Sequence, residues 1–489
     1  MTTMFSHLRP YPSRRRFIQT VGATALVTMG FPSLGAQGAN ERVRLGLIGC
    51  GWRGGQLYKQ FNRMKDIEFV AIADPDDEHL DKVAAMADEV NRPKPDKLKD
   101  YRKLLERPDI DGVVIASSNH WHALHTIHAC QAGKDVFVEK PVTHHLGEHA
   151  AMLEAEKKYQ RIVQAGTQNR SEVGLKEAFE AMRAGELGKI VSARGLCYRN
   201  RDSIGKLDAP LTPPSSIDYD LWLGPAKDIP MMRPKLHYDW HWNYNTGDGD
   251  MGNQGAHELD LIAWALGDPA PPTSMQSFGG RLAWDDAGDT ANMHAAWFEM
   301  AGVPVIFEVN NIWVRPGTNA SPAFKSLRVG VIITCEKGEF RGGRGGGQFV
   351  SPDGGERLQR FAGDGGGNHP RNFIDAIRSR RSQDLAAPLA ESCKSSVLAH
   401  MANISYRAGE PAPLDKLRTT LPENQELHDL LDAHVEQLGR WDIDLNKTPY
   451  TLGRNVTIDP ATAQLTGDLA DSPLGAPKHR DGYEIPENV

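Results

Sequence analysis

A glycine-rich turn near residue 49 constrains this chain more than any other feature. Val43-Arg44-Leu45-Gly46-Leu47-Ile48 is a short β-rich run ending in Gly49-Cys50-Gly51-Trp52-Arg53-Gly54. A helical pattern follows, carried by Leu57, Tyr58, Phe61 and Met64. G-x-G-x-x-G between a strand and a helix reads as the phosphate-binding turn of a dinucleotide fold. Gly49 allows the tight turn, Gly51 lets a pyrophosphate approach the backbone, and Gly54 lets helix and strand pack closely. The helix start, with Trp52 and Arg53, offers free N–H groups and a positive dipole end to the phosphates. A second strand, Glu68 to Ala73, ends in Asp74, 20 residues after Gly54. An acid there accepts hydrogen bonds from the adenosine ribose and repels a 2′-phosphate, so NAD is expected rather than NADP.

The βαβ pattern continues. Val113-Val114-Ile115-Ala116 exits through Ser117-Ser118-Asn119, a helix runs from Trp121 to Ala132, and Asp135-Val136-Phe137-Val138 leads into Glu139-Lys140-Pro141. Asn119, His122 and Lys140 thus sit at strand ends, where open α/β sheets bind ligands. A lysine followed by proline is poorly suited to continuing a ladder and points into the crevice; an ion pair with Glu139 is the plainer alternative.

The fingerprint, Val113 to Ala116, Ala132-Gly133-Lys134-Asp135-Val136 and Glu139-Lys140-Pro141 together resemble the Gfo/Idh/MocA family (glucose–fructose oxidoreductase, inositol dehydrogenase and rhizopine-catabolism proteins) over residues from about 42 to at least 410. The resemblance implies that Lys140 lies at the nicotinamide and the substrate, with Glu139, Asn119 and His122 beside it in the cofactor site. It also implies catalysis without a metal.

Beyond residue 165 the pattern changes to successive strands with few helices between them: 190–196, 292–298, 303–309 and 327–334. The expected architecture is α/β: an N-terminal Rossmann domain, then a C-terminal α+β domain with a large, mostly antiparallel sheet. The expected divisions are a leader (1–38), the NAD(P)-binding domain (39–165), the substrate and oligomerisation domain (166–445) and an extended tail (446–489). In the family such a sheet covers the nicotinamide and often supports a homo-oligomer. Residues 341–368 contain eleven glycines and read as a long loop.

Tyr238-Asp239-Trp240-His241-Trp242-Asn243-Tyr244 is unusually aromatic. Tyr238, Trp240 and His241 are either a sugar-stacking surface or the core side of a half-buried strand. Next comes a stretch that resembles the family's second signature at Gly255, His257 and Asp260. Asn253 stands where the family has Asp, and Asn cannot act as a base. Asn253 and His257 share a face if a helix begins near Asn253. A histidine by itself is more often structural; the signature makes His257 the candidate base for a substrate hydroxyl.

The first residues carry Ser13-Arg14-Arg15-Arg16-Phe17-Ile18-Gln19, a mildly apolar stretch and Ala36-Gln37-Gly38, matching a twin-arginine export leader except that Gln19 replaces the final Lys. A periplasmic protein exported by the twin-arginine machinery is expected. The net charge of −7 argues against nucleic acid as a partner, and no run of 18 apolar residues argues for stable membrane insertion. Five widely spaced cysteines without a CxxC pair read as separate thiols. These features lead to an exported NAD(P)-dependent oxidoreductase of a small-molecule sugar, polyol or sugar derivative. The rivals are an NAD-dependent glycosidase working by transient oxidation and elimination, and a non-catalytic NAD-holding module.

Overall fold

The computed structural model describes residues 42–486 and Val489; the expected leader lies outside the described residues. A six-stranded sheet comes first: β1 (Val43–Ile48), β2 (Ile67–Ala73), β3 (Asp96–Leu98), β4 (Gly112–Ile115), β5 (Asp135–Val138) and β6 (Val163–Ala165), in the order β3-β2-β1-β4-β5-β6. Every neighbouring pair is parallel. The strands β4 and β5 are buried at all four positions, as a sheet with helices on both faces requires. Between them run α1 (Trp52–Asn62), α2 (Asp77–Glu89) and α3 (His122–Gln131), and α4 (Glu148–Tyr159) joins β5 to β6. Strand order turns back between β1 and β4, which creates the crevice.

The second sheet has twelve strands. Its centre is β7 (Ile190–Tyr198), β8 (Ser274–Gly280), β9 (Met293–Met300), β10 (Val303–Asn310) and β11 (Val329–Cys335), with α5 (Val173–Arg183) and α6 (Gly255–Ala265) packed near it. Apart from the parallel pair β7 and β10, the pairings are antiparallel. The expected class, Rossmann sheet plus large antiparallel sheet, is the one observed.

Three local expectations change. Residues 341–368 are not a long loop but supply β13 (Gly346–Val350) and β14 (Arg357–Ala362), with β12 (Gly338–Gly343) before them. Gly342 pairs with Gly347, and a Cβ on either would stand 2.6 or 2.4 Å from the Phe340 ring. Glycine there admits an aromatic ring onto the sheet; it does not loosen the chain. The aromatic segment is not a strand but a 3-10 turn, Asp239–Trp242, entered through Tyr238 at φ 63°. Asn253 closes a short helix, Gly249–Gly252, and the longer helix that carries His257 begins at Gly255, not Asn253.

Helices from far along the chain complete the first domain. On α7 (His369–Ser379), Phe373, Ile374 and Ile377 share a core with Leu45, Phe61 and Phe137. On α8 (Leu389–Arg407), Leu389 and Cys393 pack with Val138 and Val163, while Val397 and Met401 pack with Ile262 and Met275. One helix therefore belongs to both cores. Past residue 445, residues 450–452 and 456–458 pair with β8. All five cysteines are buried and unbridged, and among the described residues no helix is long and apolar enough to cross a membrane.

Candidate functional site

A cavity of about 570 Å³ follows the C-terminal ends of β1, β2, β4 and β5 and continues under residues of the second domain. Every site residue singled out from the sequence lines it, except Gly54.

At the nucleotide end the glycines divide their work. Gly49 has φ +91°, and a Cβ there would stand 2.5 Å from the Ser117 nitrogen. At Gly54 a Cβ would meet the Gly49 oxygen at 2.0 Å, so Gly54 holds helix to strand from outside the cavity. Beside Gly51 the nearest atom to a Cβ is the His79 ring at 3.8 Å, so space remains above its backbone. No side chain caps the N-terminus of α1 and no acid sits in its first turn, so its N–H groups are available to an anion. Trp52 is 72 % exposed over this turn.

Asp74 is buried, and its carboxylate also holds the turn together. Oδ2 accepts the Cys50 N–H at 2.6 Å and Oδ1 accepts the Asp76 N–H at 2.9 Å. Each oxygen retains a lone pair for a ribose hydroxyl. Nearby, Asp76, His79 and His237 bring ligand-type atoms within 4.8 Å of one another. His237 Nε2 bonds Asp76 Oδ2 at 2.8 Å and its ring lies tilted against His79 at 4.0 Å, so this cluster fastens the 200–245 segment over the nucleotide end.

The other end is built across the whole chain. Lys140 Nζ donates to the Asn253 backbone oxygen at 2.7 Å and to Asn253 Oδ1 at 3.1 Å. Asn253 Nδ2 in turn donates to Asp250 Oδ1 at 3.0 Å, and Asp250 pairs with Arg201 at 2.7 Å. Burial holds Lys140 below the ordinary lysine range against the pull of Glu139. Glu139 pairs with Arg53 at 2.6 Å. Its burial favours the neutral acid, but Arg53 and Lys140 outweigh that and hold the carboxyl below its usual range. The Glu139–Arg53 link thus ties the strand end to the phosphate turn.

His257 lies in the first turn of α6, 9 % exposed, with Nδ1 buried and unpartnered. Burial, then the Lys140 and Arg53 cations, push its pKa well below the histidine range, so the ring is neutral at physiological pH. Beside it, burial raises the Glu258 carboxyl to about 8. Asn119 also lines the cavity and has a buried, unpartnered Oδ1. His122 is placed differently from the other strand-end residues. Its two ring nitrogens face the Pro141 oxygen at 2.6 Å and the Ser117 oxygen at 3.0 Å, so it braces the loops around Lys140.

Tyr238, Trp240 and His241 all line the cavity, and the Trp240 and His241 rings stack at 3.7 Å. His241 Nδ1 donates to the Tyr238 oxygen at 2.5 Å, and burial lowers its pKa to about 3. The sequence reading missed Arg199, Gln254, Gln168 and Arg344 in the lining. Arg199 follows the end of β7, and that position was the one signal available for it.

The group these residues suit is a nicotinamide dinucleotide. An open glycine turn, uncapped helix N–H groups, a spaced carboxylate and an unpartnered amide oxygen follow one another along the crevice. Fold and cavity together define a two-domain protein whose first half has the dinucleotide-binding Rossmann fold. Residues 43–167 match "Oxidoreductase family, NAD-binding Rossmann fold", and residues 192–285 match "Oxidoreductase family, C-terminal alpha/beta domain". With both domains matched in that order, the chain is similar to the Gfo/Idh/MocA oxidoreductase family over these residues.

Among curated relatives, a "Glycosyl hydrolase family 109 protein" of Shewanella pealeana is 31 % identical over 153 residues, covering 27 % of this chain and 34 % of its own length. Another so named, from Shewanella sp. (strain W3-18-1), is 40 % identical over 105 residues, covering 20 % and 23 %. The chain therefore spans about a third or less of these relatives. Among solved structures, the WlbA dehydrogenase from Bordetella pertussis in complex with NADH and UDP-GlcNAcA superposes with a TM-score of 0.55 at 19 % identity, over 74 % of this chain and 95 % of that one. Levoglucosan dehydrogenase in complex with NADH does so with a TM-score of 0.55 at 18 % identity, over 74 % and 96 %.

Proposed function

We propose that this protein is an exported oxidoreductase that moves a hydride between NAD and a sugar, polyol or sugar derivative. The observation that carries the reading is Lys140 Nζ in the cavity beside a neutral His257, beyond the phosphate turn. Bound nicotinamide supplies the carbon that accepts or releases hydride. Lys140 spends two hydrogen bonds on Asn253 and keeps its third N–H for the substrate oxygen. His257, with Nδ1 buried, takes the hydroxyl proton at the ring nitrogen on the cavity side. The burial that keeps His257 neutral also makes it a weak base. The Lys140 ammonium compensates by stabilising negative charge as it develops on the substrate oxygen. Asn253, which cannot take the proton, orients Lys140. Single-turnover hydride transfer across a polyol and sugar panel tests this; NAD binding without transfer to any member would leave a non-catalytic module.

A second reading rests on the names of the curated relatives. An NAD-dependent glycosidase would oxidise the sugar, eliminate the aglycone and reduce the product. Release of a chromogenic aglycone without net NADH is its signature; net NADH from free sugars is the signature of the first reading.

Export belongs to the same proposal and is motivated by Ser13-Arg14-Arg15-Arg16-Phe17. Arg14→Lys with Arg15→Lys should retain full-length precursor in the cytoplasm, and unchanged export would remove the claim. A homo-oligomer through the large sheet is likewise proposed, with light scattering as its check.

A further inference from the structure

The cavity is far more basic than the chain that encloses it. Its lining holds eight lysine and arginine side chains but two carboxylates, Asp74 and Glu139, in a protein of net charge −7. Four of the eight are ion-paired. Arg53 pairs with Glu139 at 2.6 Å, Lys59 with Glu89 at 2.5 Å, Lys99 with Asp77 at 2.8 Å and Arg201 with Asp250 at 2.7 Å. Lys140 donates to Asn253, and Lys82, near His79 at the nucleotide end, has no ion pair among the described residues.

Arg199 and Arg344 are different. Arg199 Nη1 bonds only the neutral Gln254 Oε1, at 2.6 Å, and Arg344 has no hydrogen bond or ion pair among the described residues. Both line the cavity, and both act on the His257 ring. Their backbones are fixed. The Arg199 oxygen accepts Asn311 Nδ2 at 2.9 Å. Arg344 stands at the β12–β13 hairpin tip, where the Gly345 N–H donates to buried Glu172 Oε2 at 3.1 Å and the Gly345 oxygen accepts the Gly363 N–H at 3.1 Å. Asp250 and Glu258 feel the Arg199 charge without ion-pairing with it. Two guanidinium forks with no ion pair among the described residues, on braced backbone over one cavity, suit a planar carboxylate or a phosphate.

We propose that Arg199 and Arg344 clamp an anionic substituent, so that the substrate is a sugar or polyol derivative carrying a carboxylate or phosphate. This rests on the oxidoreductase reading above and narrows its substrate class. The cofactor's own diphosphate has a seat without the pair, at the α1 N-terminus and the glycine turn.

The test uses the full chain loaded with NADH. Binding of a hexuronate, of a hexose phosphate and of the neutral parent hexose is measured by calorimetry, then repeated with Arg199→Gln, Arg344→Gln and the double variant. At least one acidic sugar should bind about 10- to 100-fold more tightly than the neutral hexose, and the double variant should lose that preference. NADH affinity, measured in the same variants, reports an intact nucleotide end. Equal binding of acidic and neutral sugars, or a preference that survives the double variant, overturns the clamp. Turnover on NAD⁺ separates the two claims. An acid preference without hydride transfer keeps the clamp and removes the oxidoreductase reading; turnover of the neutral sugar with no acid preference does the reverse.

Discussion

The two ends of the cavity are made in opposite ways. At the nucleotide end, Asp74 accepts the N–H of Cys50, 24 residues away, and of Asp76, two residues away. At the His257 end, the proposed reacting end, Lys140 reaches Asn253 across 113 residues. The first end is nearly saturated: its carboxylate is shared among backbone donors and most of its cations are paired. The second keeps unsatisfied groups, namely His257 Nδ1, Asn119 Oδ1 and Arg344, which has no ion pair among the described residues. A site that binds an invariant group can be finished in advance by local backbone. A site that handles a proton and a particular substrate must leave groups uncommitted, at a cost in stability.

The largest expected break of this contrast is His257→Ala. It should lower single-turnover hydride transfer by roughly 10²–10⁴-fold with NAD affinity nearly unchanged. A near-wild-type rate would move the base to Tyr238 or His241. Lys140→Ala comes next, at about 10²–10³-fold, and the double variant should lose less than the sum if, as proposed, both groups act on one proton and one oxygen. Burial lowers the Lys140 pKa from 10.5, so the ammonium is lost as pH rises. The rate should therefore fall on the alkaline side below pH 10.5, and Lys140→Arg should push that limb outward.

Glu258 measures what the reacting end costs. Its carboxyl titrates near 8 when folded against an ordinary 4.5. Below 4.5 both states are protonated; from there to 8 only the folded state keeps the proton, so stability declines as pH rises. Glu258→Gln should add on the order of 3 kcal/mol at pH 8 and almost nothing at pH 4. Equal denaturation midpoints of variant and parent at pH 8 would remove that account.

At the nucleotide end Gly49→Ala should weaken NAD binding about 30-fold, because φ +91° and a backbone nitrogen 2.5 Å away force the turn open. The smallest effect belongs to Asp74→Asn. Removing its charge should raise the NADP⁺-to-NAD⁺ affinity ratio about 5- to 10-fold, read by titrating both cofactors. A parent protein that already binds NADP⁺ more tightly would contradict the NAD preference.

What was legible followed from contact distance. The Gly49–Gly54 turn and Asp74 declare themselves because strand, turn and helix are contiguous and each glycine answers a local steric demand. Lys140 was legible as a strand-end residue, its partner Asn253 only through a resemblance. The glycines of 341–368 misled: composition suggests looseness, yet their lack of side chains lets Phe340 lie across β12 and β13. The aromatic segment failed for a related reason, since alternating aromatics suit a strand but the left-handed Tyr238 turns the chain into a 3-10 helix.

By itself, then, the sequence determined the Rossmann half, the antiparallel character of the second sheet and the residue types of the site. Each depends on periodicity or spacing within one or two elements. Only the tertiary structure decided that α7 closes the first core, that α8 serves both cores, and that Lys140, Asn253, Asp250 and Arg201 form one chain of hydrogen bonds. It also decided which cations stay unpaired, because an arginine finds or lacks its carboxylate only when distant loops meet over a common cavity.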